Sequence, residues 1–145
     1  MYDIRHRVGI YAPMPAVLSA VSTRDGVSKW WSRDVRDVGD DRLAIYFGRP
    51  EPSAVMAVKH SAETCVWTCL QGPSEWVDTT ITFDLRRNGD ETAVVVFTHA
   101  DWCEPVEFMH HCSTRWGYFL VSLKSTLEGG PSTRWPDDLA ISSWR

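Results

Sequence analysis

The chain has 145 residues and a formal net charge of −4 at pH 7, and 43% of its residues are hydrophobic. This length predicts a single domain, and the mild acidic charge gives no reason to expect nucleic acid as a partner. The sequence has no apolar run long enough for a membrane span, and its first residues lack the apolar core of a signal peptide. Because its four cysteines lie in a chain with no secretory signal, we expect free thiols in a reducing cytoplasm.

The first third of the chain predicts one strand and two short helices. Alternating apolar side chains predict the strand over residues 4–11. Pro15 is well placed to begin a helix over 16–22, because proline suits the first helical turn. A second short helix is predicted over 27–31. The polar stretch that follows, 32–42, predicts a loop with a solvated, aspartate-rich face.

The middle of the chain predicts an antiparallel meander, because short apolar segments follow one another with only turn sequences between them. The turns are rich in glycine, proline and asparagine and lie at residues 48–52, 71–74 and 87–90. Consecutive strands followed by a long helix place the chain in the α+β class. The predicted strands cover residues 43–47, 54–60, 64–70, 76–85 and 92–99.

The inward face of the last strand depends on the turn before it. A two-residue turn at residues 88–89 would direct Val94 and Val96 inward. One additional bulged residue would instead direct Phe97 and His99 inward. We favour the second register because Phe97 is the largest apolar group of the strand.

A long helix is predicted near the C-terminus, from Glu104 to Gly130. Pro105 fits its first turn, and two glycines followed by proline at residues 129–131 end it. Placing the residues at helical intervals gives the helix a wide apolar face, which we expect to lie against the strands. That face is predicted to carry Met109, Cys112, Trp116, Phe119, Leu120, Leu123 and Leu127, and the opposite face Glu107, His111, Ser122 and Ser125.

Several segments carry a family resemblance. They are the Trp30-Trp31 pair, Trp67, the segment 76–83, the ending Phe97-Thr98-His99 and the stretch from Trp116 to Gly130. These segments resemble the START-like (SRPBCC) superfamily, and within it the homologues of the heat-shock ATPase activator, which are often grouped with polyketide cyclases. The resemblance implies a helix-grip fold, in which a curved antiparallel sheet wraps around a long C-terminal helix and encloses a cavity. We therefore predict a START-like domain over 1–130 and a C-terminal tail over 131–145.

The resemblance implies binding of a small hydrophobic or aromatic ligand in the cavity between sheet and helix, and no cofactor is expected. Ordinary core packing explains the same large side chains equally well. A cyclase- or dehydratase-like enzyme acting on a polyketide-type or aromatic substrate is one alternative, and a chaperone-interaction module is another. The residues predicted to line the cavity are Trp31, Met56, Trp67, Phe97, His99, Met109, Cys112 and Trp116.

His99 is the catalytic candidate. If it faces inward near the opening of the fold, it could act as a general base near neutral pH. A structural histidine is the simpler interpretation, because no carboxylate partner can be assigned to it. An enzyme of this kind would need inward-facing polar groups, and the sequence offers only His60, His99 and Thr79.

No metal site is predicted, although histidines and cysteines cluster near the start of the long helix. Neither a CxxC nor an HxxxH spacing occurs in the sequence. Cys65 and Cys69 share a strand face about 13 Å apart, which is too far for a disulfide. The clustered residues are His99, Cys103, His110, His111 and Cys112.

The predicted tail carries Trp135 and Trp144. A disordered segment usually lacks aromatic residues because it buries nothing, so we expect this tail to dock. The outer face of the last strand, at Val94 and Val96, is one predicted docking surface. A second subunit is the other, which would make the protein a homodimer. A loosely ordered extension is the remaining alternative.

Overall fold

The computed structural model describes residues 1–144 as one antiparallel sheet of seven strands with one long and two short helices. None of these helices is both long and apolar enough to cross a membrane. Arg145, the last residue of the predicted tail, lies outside the described residues. The strands are β1 (Tyr2–Ile10), β2 (Asp34–Asp37), β3 (Arg42–Tyr46), β4 (Ala54–His60), β5 (Thr64–Gln71), β6 (Thr80–Arg87) and β7 (Ala93–Trp102). The helices are α1 (Met14–Ser22), α2 (Arg24–Val27) and α3 (Glu107–Leu127).

The strands follow one another across the sheet, except that β1 lies at the far edge beside β7. Short connections allow each strand from β2 to β7 to pair antiparallel with the next. The sheet curves around α3. The predicted apolar face of this helix is confirmed, because Met109, Trp116, Leu120 and Leu123 are all buried. The predicted α+β helix-grip fold is therefore confirmed.

The favoured inward face of the last strand is also confirmed. Phe83 pairs with Phe97, Ile81 pairs with His99, and all of these side chains are fully buried. The turn itself is longer than predicted, because a loop over residues 88–92 joins β6 to β7. Lengthening a turn by two residues leaves the same side chains facing inward, since the side-chain period of a strand is two.

Strand β6 begins at Thr80 rather than at residue 76, because the backbone turns just before it. Asp78 has a positive φ of 69°, which breaks the extended conformation there. Val77 is 40% exposed as a result, although in an unbroken strand over 76–85 it would share the inward face of Ile81 and Phe83. Trp76 leaves the sheet and stacks on Trp116, with ring centroids 5.7 Å apart.

The segment between α1 and β3 also differs from its prediction. The second helix covers Arg24–Val27 and not 27–31, because the Thr23 hydroxyl accepts a hydrogen bond from the Gly26 N–H at 3.0 Å and caps the helix there. The predicted loop contains the edge strand β2. Only Val35 is buried in this strand, so the sequence lacks the apolar alternation that identifies strands.

Helix α3 is shorter than predicted at each end. It begins at Glu107 with Val106 as its N-cap, so Pro105 precedes the helix and is not in its first turn. It ends at Leu127, before a glycine with positive φ. The Gly130 N–H then donates to the Ser125 carbonyl at 2.7 Å, which gives a carbonyl of the last helical turn a hydrogen bond from beyond the end of the helix.

The C-terminal tail, residues 131–144, packs on α3 and on the segment after α2. The Trp135 N–H donates to the Trp31 carbonyl, and the Arg33 N–H donates to the Trp135 carbonyl, both at 3.0 Å. Further along, the Leu139 N–H donates to the Tyr118 hydroxyl at 2.9 Å. The tail therefore docks within its own chain and not on the outer face of β7.

The docked tail explains why two residues of the predicted polar face of α3 are buried. Ser122 is 1% exposed and His111 is 8% exposed, although the helical spacing predicted both to point away from the core. The Ser122 hydroxyl accepts the Thr133 N–H at 3.2 Å, and His111 Nδ1 lies 2.6 Å from the Ser142 hydroxyl. The polar side chains of α3 thus serve as hydrogen-bond partners for the tail.

Candidate functional site

Large aromatic side chains from distant segments stack between the sheet and α3. This cluster, the aromatic core, consists of Trp31, Trp67, Phe97 and Trp116, none more than 3% exposed. Ring centroids are 5.3 Å apart for Trp31 and Trp67, and 5.1 Å apart for Trp31 and Trp116. Phe97 and Trp116 are 4.8 Å apart. The rings occupy the region between sheet and helix where the sequence predicted a cavity.

His99 lies beside the aromatic core and is held by a chain of three hydrogen bonds. The Trp116 indole N–H donates to His99 Nδ1 at 3.1 Å, and His99 Nε2 lies 2.8 Å from the Thr79 hydroxyl. That hydroxyl donates to the Trp76 carbonyl at 2.5 Å, so it accepts the proton of Nε2. Burial lowers the pKa of His99 to about 3. The ring is therefore neutral at pH 7, and neither nitrogen is free to take a proton from a ligand.

His60 is exposed, although it was predicted to face inward. It is the last residue of β4, where the strand extends beyond the packed interior and Lys59 is exposed as well. Of the three polar groups that the sequence offered for an enzyme, His60 thus faces solvent, and His99 and Thr79 hydrogen-bond each other.

An open groove of about 390 Å³ lies at the rim of the aromatic core and is here named the aromatic groove. Trp31 borders it together with Phe47 and Trp76, at ring-centroid distances from Trp31 of 5.8 Å and 6.5 Å. Trp135 of the tail continues this border, 6.4 Å from Phe47 and perpendicular to it. The groove therefore presents several aromatic rings to one space, which suits a flat apolar molecule.

Helix α3 and the tail form another side of the aromatic groove. His111 stacks on Phe108 with ring centroids 6.0 Å apart, and Trp144 packs edge-on against His111 at 5.5 Å. Burial, together with the positive charge of the nearby Arg115, lowers the pKa of His111. His111 is therefore neutral at pH 7 and adds an uncharged ring to the groove.

One charged pair borders the groove. Arg115 extends from α3 with its guanidinium carbon 5.0 Å from the ring centroid of Phe119. Asp138 of the tail places its Oδ2 3.8 Å from Arg115 Nη1, and its side chain is only 3% exposed. The other oxygen, Asp138 Oδ1, is buried and has no hydrogen-bond partner among residues 1–144. A buried acceptor without a hydrogen bond lowers the stability of the folded protein.

The cysteines offer no nucleophile at this site. Cys112 borders the groove, but burial raises the pKa of its thiol to about 12 even though the neighbouring Trp76 indole lowers it. Its sulfur is therefore protonated at pH 7 and unreactive. All four cysteines are free thiols, as predicted.

A second cavity of about 540 Å³ shares Phe108 and Trp144 with the aromatic groove. Its border includes the carboxylates of Glu75, Glu104 and Glu107, which make it a poor place for an apolar molecule. Within residues 1–144, no group of three or more His, Cys, Asp or Glu side chains is placed to hold a metal ion. We therefore take the aromatic groove as the candidate site.

The structure divides the predicted lining residues into two sets. Trp31 and Cys112 border the aromatic groove. The other six are buried in the interior: Met56, Trp67, Phe97, His99, Met109 and Trp116. The tail forms one side of the groove. The sequence signal for that side was the tryptophans of the tail, which predicted that the tail docks. The groove residues that the sequence analysis missed are Phe47, Arg49, Ser53, Ala54, Pro73, Trp76, Phe108, His111, Arg115, Trp135, Asp138 and Trp144.

Solved structures of other proteins share this fold. The chain is similar to the Aha1 dimer from Colwellia psychrerythraea, with 34% sequence identity over 90% of this chain and 98% of that one and a TM-score of 0.78. CalU16 from Micromonospora echinospora is 20% identical over 90% of this chain and 76% of that one, with a TM-score of 0.68. The di-domain ARO/CYC BexL from the BE-7585A biosynthetic pathway is 17% identical over 88% of this chain and 47% of that one, with a TM-score of 0.71.

No protein-family model and no curated protein matches the sequence. CalU16 and BexL share the fold alone at their low identities. The Colwellia psychrerythraea protein is a relative, because its 34% identity extends over almost the whole of both chains. The chain belongs to the START-like (SRPBCC) superfamily, on the branch of the Aha1 homologues.

Proposed function

We propose that the protein binds a small hydrophobic or aromatic molecule in the aromatic groove. The observation that supports this function is the convergence of Trp31, Phe47, Trp76 and Trp135 on one open space of about 390 Å³. Ligand pockets commonly have volumes of roughly 300–1,000 Å³ and are lined mostly by apolar and aromatic side chains. A flat ligand that stacks on such rings gains about 0.5–1.5 kcal/mol per aromatic pair beyond the burial of its surface.

Calorimetric titration with 2-naphthol, a flat aromatic probe, tests this proposal. The change Trp135→Ala removes one aromatic side of the groove. We expect it to weaken binding of 2-naphthol at least about ten-fold, which corresponds to about 1.4 kcal/mol. Val121→Ala is the matched control, because Val121 is 58% exposed on α3 and does not border the groove. This control should bind 2-naphthol as the wild type does.

The NMR signals of the tryptophan indole N–H groups locate the bound probe. Those of Trp76 and Trp135 should shift when 2-naphthol is added, because both rings border the groove. Shifts confined to Trp102, which borders the second cavity and not the aromatic groove, would contradict the proposal. Equal affinities for wild type and Trp135→Ala would contradict it as well.

We also propose that the protein forms a homodimer. The relative from Colwellia psychrerythraea, 34% identical over almost its whole length, was solved as a dimer, and this supports the proposal. Light scattering of the purified protein should then give twice the mass of one chain. A mass equal to that of one chain over the whole accessible concentration range would rule the dimer out.

A further inference from the structure

One carboxylate in the aromatic groove has an oxygen that no group within the described residues contacts by a hydrogen bond. The side chain of Asp138 is 3% exposed, and its Oδ1 is buried without a hydrogen-bond partner among residues 1–144. Its Oδ2 lies 3.8 Å from Arg115 Nη1, which is beyond the length of a direct hydrogen bond. Because buried carboxylate oxygens are normally hydrogen-bonded, a donor from a molecule in the groove fits this position.

The tail holds Asp138 in place from both sides. On one side, the Trp135 N–H donates to the Trp31 carbonyl at 3.0 Å. On the other side, the Leu139 N–H donates to the Tyr118 hydroxyl at 2.9 Å. The carboxylate between these anchors is therefore positioned at the border of the groove before any ligand arrives.

The charges around the groove favour a neutral ligand over a cationic one. Arg49 and Arg115 border the groove with positive charges, and Asp138 is the one carboxylate on its border within the described residues. Within the described residues, positively charged side chains on this border therefore outnumber negatively charged ones. An ammonium group would be repelled by this balance, whereas a hydroxyl group donates a hydrogen bond without bringing a charge.

We propose that the tail completes the ligand site and that Asp138 Oδ1 accepts a hydrogen bond from the hydroxyl group of a neutral, hydroxylated aromatic ligand. This inference rests on the proposed ligand binding in the aromatic groove. It goes further by naming the class of ligand and the residue that selects it. The ligand's ring packs among the aromatic side chains, and its hydroxyl group provides the donor that Asp138 Oδ1 lacks among residues 1–144.

Two probes that differ only in the hydrogen-bond donor test the role of Asp138. They are 2-naphthol and 2-methoxynaphthalene, whose methoxy group cannot donate. By calorimetry the wild type should bind 2-naphthol at least about ten-fold more tightly than 2-methoxynaphthalene. Asp138→Leu should abolish this preference without weakening the binding of 2-methoxynaphthalene. Asp137→Leu changes the exposed neighbour and should retain the preference.

The outcomes separate this inference from the proposed function. If the wild type binds both probes equally and Trp135→Ala weakens both, the role of Asp138 is overturned and ligand binding in the groove stands. If neither probe binds, both proposals are overturned. If Asp138→Leu does not fold, Asp138→Asn keeps the shape of the side chain and removes its charge. The preference should then fall several-fold, and an unchanged preference would overturn the inference.

Discussion

Replacing Trp116 with alanine is expected to lower the free energy of unfolding by about 3–5 kcal/mol. Trp116 is 2% exposed and lies against Trp31, Phe97 and Trp76. Its removal leaves a cavity into which the surrounding structure relaxes only in part. It also leaves His99 Nδ1 without its donor. Urea unfolding followed by circular dichroism measures the loss.

Two further variants separate the contributions of Trp116. Trp116→Phe keeps a ring in the aromatic core and removes the indole N–H, so we expect a smaller loss of about 1–3 kcal/mol. Val121→Ala, on the exposed side of the same helix, should stay within about 0.5 kcal/mol of the wild type. A Trp116→Ala protein that loses no more than the Val121→Ala protein would be incompatible with the packing described for the aromatic core.

The stability of the protein is expected to fall as the pH drops below about 6.5, because of His99. Burial lowers the pKa of His99 to about 3 in the folded protein, whereas its ordinary value is 6.5. Between these values the unfolded chain binds a proton that the folded chain does not, so acid favours unfolding. The slope is about 1.4 kcal/mol per pH unit, or about 2 kcal/mol between about pH 7 and about pH 5.

Substituting His99 identifies its share of this pH dependence. His99→Gln cannot take up the proton, so its unfolding free energy should fall about 2 kcal/mol less than that of the wild type between about pH 7 and about pH 5. At pH 7 it should be less stable than the wild type, because the Trp116 N–H loses its acceptor. The pH profile of His111→Gln serves as the comparison for that of His99→Gln, because burial also lowers the pKa of His111. Identical pH profiles for wild type and His99→Gln would refute the role of His99.

The parts of the fold that were predicted from the sequence have local signals. The apolar face of α3 recurs at helical intervals, and the strands alternate with a period of two. The size of Phe97 favoured one inward face for β7, and the pairing of Phe97 with Phe83 agrees with it. Such signals act within a few residues and need no knowledge of distant segments. Where the local signal is weak, the prediction was wrong. Strand β2 was predicted to be a loop, because its sequence lacks the apolar alternation of a strand, and only Val35 is buried in it.

The candidate site depends on segments that are distant in the chain. Trp76 borders the groove because the backbone turns at Asp78, and that turn interrupts an otherwise strand-like sequence. His111 lies on the polar side of α3 and is buried only because the tail covers it. No spacing rule within one segment relates Asp138 to Arg115, which meet across the border of the groove.

The sequence by itself determined the antiparallel sheet, the long helix and the abundance of tryptophan, because periodicity, turn residues and composition are properties of short stretches. Only the tertiary structure decided which rings fill the interior and which border open space. Trp67 and Trp135 are the same residue type, yet one is buried at 1% exposure and the other borders the groove. That difference arises from packing between segments, because the tail lies on α3, where the Ser122 and Tyr118 hydroxyls accept hydrogen bonds from its backbone.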